Sequence, residues 1–181
     1  MSLHYEIRLS GAGGQGLILI GKILAEAAAI YDGKNATQSQ SYGPEARGGA
    51  SRSEVIISNE DIDYPKATDI DLLVAMTQEA ANKYAADVKS GGLIIVDSGF
   101  VTDVPKGDFK VLSFPITSTA EEVIGKKLVA NIIALGIIEK LSKVISEKAM
   151  ISAIRARVPK GTEEINIKAF NEGQKLAKQP L

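Results

Sequence analysis

The sequence predicts an α/β fold, and three observations lead to it. Short apolar strands alternate with helical segments up to Pro115, the pattern of a parallel sheet with crossover helices. A glycine run, Gly11-Ala-Gly-Gly-Gln-Gly16, stands between the first strand and the first helix. After Pro115 every periodic segment is helical. Together these predict a Rossmann-like three-layer fold with a mostly parallel sheet and a helical C-terminal third packed on it. The 181 residues fit one domain, 1–181.

Each element has a local reason. Residues 4–10 alternate and then meet glycine, which predicts the first strand. Residues 13–31 form a helix with Ile20, Ile23, Leu24, Ala27, Ala28 and Tyr31 on one stripe, stopped by Asp32-Gly33. Residues 35–41 form a second strand with Thr37, Ser39 and Ser41 on one face and Gln38 and Gln40 on the other. A buried parallel strand is normally rich in Val and Ile, so this one is an edge strand or lines a polar cleft. Residues 50–58 and 70–76 are further strands, and Thr77 is the N-cap of a helix over 78–87. Ser90-Gly-Gly92 is a turn into a strand over 93–97, and 110–114 is the last strand. Ser118-Thr-Ala-Glu121 has the capping-box pattern. Residues 128–141, interrupted by Asn131 and Gly136, form a helix buried on several sides. Ser146 caps a helix ending before Pro159, a last helix covers 162–178, and the tail 179–181 frays.

Composition excludes several functions. There is no Cys, hence no disulfide and no Cys-ligated cluster on this chain. A single His4 supports neither a His-based metal site nor a His general base. A net charge of −1 with no basic block argues against nucleic-acid partners. The first residues lack a basic and apolar leader, and no apolar run approaches the ~20 residues of a membrane span. The expectation is a cytoplasmic protein without a membrane partner.

Two loops carry the functional signal. Gly11, Gly13 and Gly16 fit Gly-x-Gly-x-x-Gly between strand and helix. In that reading Gly11 allows the tight turn, Gly13 lets backbone approach a phosphate, and Gly16 lets the helix pack on the strand. Gly14 and Gln15 complete the run. The ribose-binding acid of a dinucleotide site belongs at the end of the second strand. Asp32 stands before that strand, and Gln40 and Ser41 occupy its end. A second near-match, Gly16 to Ile23, lacks the Ser or Thr of a P-loop, which leaves Lys22 a solvated helix residue. No nucleophile elbow occurs and no residue pattern supplies Ser-His machinery, so no catalytic residue is expected on this chain.

The second loop runs through Ser41, Tyr42, Gly43, Pro44, Glu45, Ala46, Arg47, Gly48 and Gly49. It sets one acid and one base on a backbone that Pro44 stiffens and the glycines release. Arg47 has the planar fork suited to carboxylate or phosphate. This composition favours a ligand or interface role over a local Glu45–Arg47 surface pair, which contributes little.

Gly11-Ala-Gly-Gly-Gln-Gly16, followed by Gln38-Ser-Gln-Ser-Tyr-Gly-Pro-Glu-Ala-Arg-Gly-Gly-Ala-Ser51 and Glu54-Val-Ile-Ile57, resembles the gamma subunit of 2-oxoacid:ferredoxin (acceptor) oxidoreductases. The resemblance covers nearly the whole chain and is nearest to the 2-oxoglutarate type. Pyruvate, 2-oxoisovalerate and indolepyruvate relatives share the pattern. It implies a subunit that is inactive alone, in a complex with alpha, beta and ferredoxin-like delta subunits. Those chains carry thiamine diphosphate, Mg²⁺ and iron–sulfur clusters. The complex converts a 2-oxoacid and coenzyme A to an acyl-CoA and reduces ferredoxin. Loops 11–16 and 42–49 would then face the other subunits at the C-terminal edge of the sheet, near the coenzyme A or substrate channel. An isolated chain could pair with itself as a homodimer. Two alternatives stand beside this one. One is a free-standing Rossmann NAD(P)-binding oxidoreductase, and the other is a non-enzymatic ligand-binding scaffold.

Overall fold

The computed structural model describes residues 2–41 and 50–178. Six strands form one sheet in the order β2-β3-β1-β4-β5-β6. They are β1 (His4–Gly11), β2 (Asn35–Ser41), β3 (Ser51–Ser58), β4 (Ile70–Ala75), β5 (Val88–Asp97) and β6 (Lys110–Phe114). β1, β4, β5 and β6 run parallel. β3 is antiparallel to both of its neighbours, β1 and β2. β2 is therefore the edge strand that its polarity suggested, because no strand among the described residues pairs with its outer flank.

The sheet has two different faces. On one lie α1 (Leu17–Glu26), α4 (Ala130–Ser142), α5 (Glu147–Arg157) and α6 (Glu163–Lys178). Ile7, Leu9, Val55, Ile57, Leu72 and Val74 of the sheet join Ile20, Ile23, Ile133, Ile137, Ile154 and Phe170 in one apolar cluster there. On the other face lie α2 (Gln78–Tyr84) and the turn after it, where Leu73, Ala75, Ile94 and Val96 of β4 and β5 and Ile56 of β3 share a second apolar cluster with Ala80, Ala81 and Tyr84. The helical C-terminal third packs on the sheet, as predicted.

Two helix contacts are backbone-close. A Cβ on Gly21 would lie 2.2 Å from Ser53 Oγ, so α1 rests directly on β3. A Cβ on Gly136 would lie 2.1 Å from the Phe170 carbonyl, and one on Gly173 would lie 2.0 Å from the Ile133 carbonyl. Helices α4 and α6 meet at these two glycines, which explains the break that Gly136 makes in an otherwise apolar run.

Several elements differ from the sequence reading. The first helix begins at Leu17, not at residue 13, because Gly14 and Gly16 both take positive φ. Its end widens into a π turn over Ala27–Tyr31, closed by Asp32 N–H donating to the Ala27 carbonyl, which turns Tyr31 out to 43% exposure. Ser90-Gly-Gly92 lies inside β5 as an irregularity rather than a turn, with Gly91 at φ 75° donating to the Asp108 carbonyl. The capping box does not form. Helix α3 (Ile116–Thr119) starts behind Pro115, and Ser118 Oγ reaches back to the Pro115 carbonyl at 3.3 Å. The predicted 128–141 helix starts at Ala130 and leaves Leu128 72% exposed. Thr77 and Ser146 do cap their helices, accepting from Ala80 N and Ala149 N at 3.2 Å each.

Candidate functional site at the C-terminal edge of the sheet

β1 leads to α1 on one face and β4 leads to α2 on the other. The chain thus turns opposite ways from two adjacent parallel strands. In α/β sheets a crevice forms outside the carboxyl ends of such a strand pair, and ligands bind there. Here that crevice is bounded by the glycine loop 11–16, Met76, and the segment 125–131 before and into α4.

The glycine loop is partly filled by its own residue. Gln15 folds back so that its Oε1 accepts from Ala12 N at 2.7 Å. A Cβ on Gly11 would lie 2.2 Å from that oxygen, so glycine at 11 makes room for Gln15 as well as for the turn. No described residue lies within 4 Å of where a Cβ on Gly13 would stand. Gly16 is the N-cap of α1 at φ 72°. Its predicted role, packing helix on strand, is corrected: Gly16 meets Asn131 of α4, and Gly21 supplies the helix–strand contact instead. Asn131 Nδ2 donates to the Gly16 carbonyl at 3.2 Å, while its buried Oδ1 has no partner among the described residues.

Two hollows flank Leu128. One, of about 260 Å³, is lined by Gly14, Gln15, Gly16, Lys126, Asn131 and Asn166 among others. The other, of about 140 Å³, is lined by Gly14, Gln15, Met76, Thr117, Lys127 and Leu128. Lys126 makes no ion pair among the described residues. Lys127 Nζ stands 3.6 Å from Glu121 Oε1 and 5.7 Å from the centre of the Phe100 ring. The first amides of α1 have no intrahelical acceptor and carry the positive end of the helix dipole. Amides, dipole and two lysines make a place for an anion beside apolar surface.

Behind the second hollow, Asp97 at the end of β5 is fully buried and accepts three hydrogen bonds. Thr117 donates from its amide at 3.0 Å and its hydroxyl at 2.5 Å, and Gly99 N donates at 3.1 Å. This carboxylate ties α3 and the turn after β5 to the edge. Sequence reasoning passed over Asp97, Lys126, Lys127 and Asn131. The visible signal was Asn131 itself, a polar residue inside an apolar run.

The second loop joins this edge at its roots. Ser41 pairs with Arg52 across β2 and β3, and Arg52 pairs with Ser10 across β3 and β1. Ser10 Oγ donates to the Ser51 carbonyl at 2.8 Å, and Ser51 Oγ donates to the Gly11 carbonyl at 3.2 Å. Ser41 is thus two strands from the end of β1. Tyr42, Gly43, Pro44, Glu45, Arg47, Gly48 and Gly49 lie outside the described residues.

The geometry speaks against a dinucleotide site of the ordinary kind. β3 separates β2 from β1, so the strand whose end would hold a ribose-binding acid is not adjacent to the glycine loop. Asp32 sits at the far end of α1 and is already engaged. It accepts from Ser146 N at 2.7 Å, Ser146 Oγ at 2.6 Å and Lys34 Nζ at 3.0 Å. Burial works to raise its pKa, but the Ser146 bonds and Lys34 outweigh it and hold the carboxyl below its ordinary value. Lys22 is exposed, as expected of a solvated helix residue.

Comparison with known proteins agrees with this topology. The family model described as pyruvate ferredoxin/flavodoxin oxidoreductase matches residues 6–176. The chain belongs to the pyruvate ferredoxin/flavodoxin oxidoreductase family. Within it, the 2-oxoglutarate synthase subunit KorC of Methanocaldococcus jannaschii is 51% identical, over 99% of this chain and 97% of that one. The gamma subunit of a keto/oxoacid ferredoxin oxidoreductase from Geobacter sulfurreducens superposes with a TM-score of 0.88 at 54% identity, covering 96% of this chain and 98% of that one. The 2-oxoglutarate:ferredoxin oxidoreductase of Magnetococcus marinus, solved with 2-oxoglutarate, coenzyme A and succinyl-CoA bound, superposes with a TM-score of 0.87 at 25% identity. There the match spans 98% of this chain and 32% of that longer one. In this family, then, the fold occurs both as a separate subunit and as one part of a longer chain. No helix among the described residues is long and apolar enough to cross a membrane.

Proposed function

We infer that this chain is the gamma subunit of a 2-oxoacid:ferredoxin oxidoreductase whose oxoacid is 2-oxoglutarate. The observation that carries the reading is likeness along the full chain, at 51% identity, to a 2-oxoglutarate synthase subunit of matching length. The sequence itself supports a role without chemistry of its own: it has no Cys to hold a cluster and a single His.

In this reading the subunit works in the cytoplasm beside alpha, beta and ferredoxin-like delta subunits. Those chains hold thiamine diphosphate with Mg²⁺ and the iron–sulfur clusters, and pass electrons to ferredoxin. The edge bounded by loop 11–16 and segment 125–131 faces them. Its hollows suit one anionic end of coenzyme A: the α1 amides and Lys126 offer charge, and Leu128 offers apolar surface. Arg47 is the second cationic candidate, through its fork.

The test uses the assembled complex. Co-expression with alpha, beta and delta subunits should yield a complex that forms succinyl-CoA from 2-oxoglutarate, with no activity from this chain alone. Lys126→Ala and Arg47→Ala should each raise the KM for coenzyme A about tenfold, the loss of one charge-assisted contact. Normal assembly with unchanged KM and kcat in both variants would remove the coenzyme A assignment. Turnover of pyruvate in place of 2-oxoglutarate would remove the substrate assignment.

A further inference from the structure

On the face opposite α1, the sheet carries a charged relay with no part in the crevice described above. Asp87, after α2, pairs with Arg8 on β1. Arg8 Nε donates to Glu54 Oε1 on β3 at 2.9 Å, and Arg52 Nε stands 3.4 Å from the same oxygen. Arg8 and Glu54 side chains are each 7% exposed, whereas that of Arg52 is 34% exposed. The guanidiniums of Arg8 and Arg52 lie 5.1 Å and 5.8 Å from the centre of the Tyr84 ring. Arg52 is thus held on one side by a carboxylate and on another by an aromatic face. Its Nη groups have no partner among the described residues.

Those groups belong to a side chain that lines a hollow of about 230 Å³ with Ser39, Gln40, Ser41, Lys66 and Glu54. Cross-strand register places Ser39 opposite Glu54 and Ser41 opposite Arg52, so both serines share the Arg52 face. Lys66 is exposed and forms no ion pair among the described residues. The lining therefore holds two cations against one carboxylate, and that carboxylate is already shared by two arginines. Small hydroxyls, a held guanidinium fork and excess positive charge are what a multi-oxygen anion requires. Preorganisation removes the rotamer cost that a free surface arginine would incur.

We propose that the Ser39–Ser41–Arg52–Lys66 hollow is an oxyanion-binding site, taking a phosphate or carboxylate head at the root of the 42–49 segment. It does not rest on the subunit reading, since every residue it uses is on this chain. Its failure would leave that reading untouched.

Nitrogen-15 NMR of the full chain, titrated at constant ionic strength with inorganic phosphate and separately with acetate, tests it. The expected result is a saturable millimolar shift of the Arg52 Nε signal and of the Ser39 and Ser41 amides. Saturation by phosphate alone assigns a phosphate ligand, and saturation by acetate as well assigns a carboxylate. Arg52→Gln should weaken binding about tenfold, and Lys66→Gln roughly two- to fivefold. Lys22→Gln, on the opposite face, should leave it unchanged. Lys66 is exposed, so its variant keeps the test decisive if the Arg52 variant misfolds. A flat response to both anions, or binding that survives both the Arg52 and Lys66 changes, overturns the site.

Discussion

Ser10 and Ser51 lock two loops together: the Ser10 hydroxyl donates to the Ser51 carbonyl, and the Ser51 hydroxyl returns a bond to the Gly11 carbonyl. This exchange sits where β1 ends and β3 begins. It ties the glycine loop to the root of the second motif, although the two are some forty residues apart in sequence. Replacing both serines by Ala should cost about 2 kcal/mol, near 1 kcal/mol per bond. Urea denaturation reads the loss, and an unchanged midpoint would show that water replaces both bonds.

Gly136 is required by space. A methyl group there would press on the Phe170 carbonyl, and backbone on both helices leaves no side chain to give way. Gly136→Ala should destabilise by roughly 1–3 kcal/mol, the usual range for overpacking. Thermal unfolding decides: a shift below about one degree would mean that α6 moves aside freely.

Asp97 is a fastener whose three donors leave no room for a neutral isostere to serve equally. Asp97→Ala should cost about 3 kcal/mol or more, because Thr117 and Gly99 lose a buried charged acceptor. Thr117→Val, which keeps the amide bond, should cost nearer 1 kcal/mol. Equal losses in the two variants, measured by chemical denaturation, would contradict the shared role of the carboxylate.

Tyr5 sets an alkaline limit. Burial, and then the negative charge of Asp71, push its phenol up to about 12. Its folded pKa is raised above the unfolded value near 10, so the folded state holds this proton more tightly. That contribution is complete below about pH 10 and fades as pH rises toward 12. Stability of the wild type should therefore fall across this window, and Tyr5→Phe should flatten the fall. Spectrophotometric titration at the tyrosinate band should show one of the five tyrosines ionising late. Five coincident titrations would contradict the burial of Tyr5.

Much of the architecture was written locally. Thr77 and Ser146 announce their helices because a hydroxyl at an N-cap needs only its own backbone. The polarity of β2 marks an edge because an outer strand has one uncovered flank. Ser118 shows the opposite case, where the capping-box spelling was overridden because Pro115 starts the helix one turn earlier. The glycine loop was legible as a turn, but not as one closed by Gln15 and backed by Asn131, since Asn131 lies 115 residues away from Gly16.

By itself, the sequence determined the alternation of strands and helices, the absence of cysteine chemistry, and the two loops that carry the family resemblance. These depend on residue type and short spacing, which act within a few bonds. Only the tertiary structure decided that β3 enters the sheet antiparallel between β1 and β2. That insertion removes the ribose corner of a dinucleotide site and brings Ser51 against Gly11. It also places Arg52 on a face with Arg8, Glu54 and Tyr84. Strand order is set by which apolar faces can be buried together, a property of the whole sheet that no single segment contains.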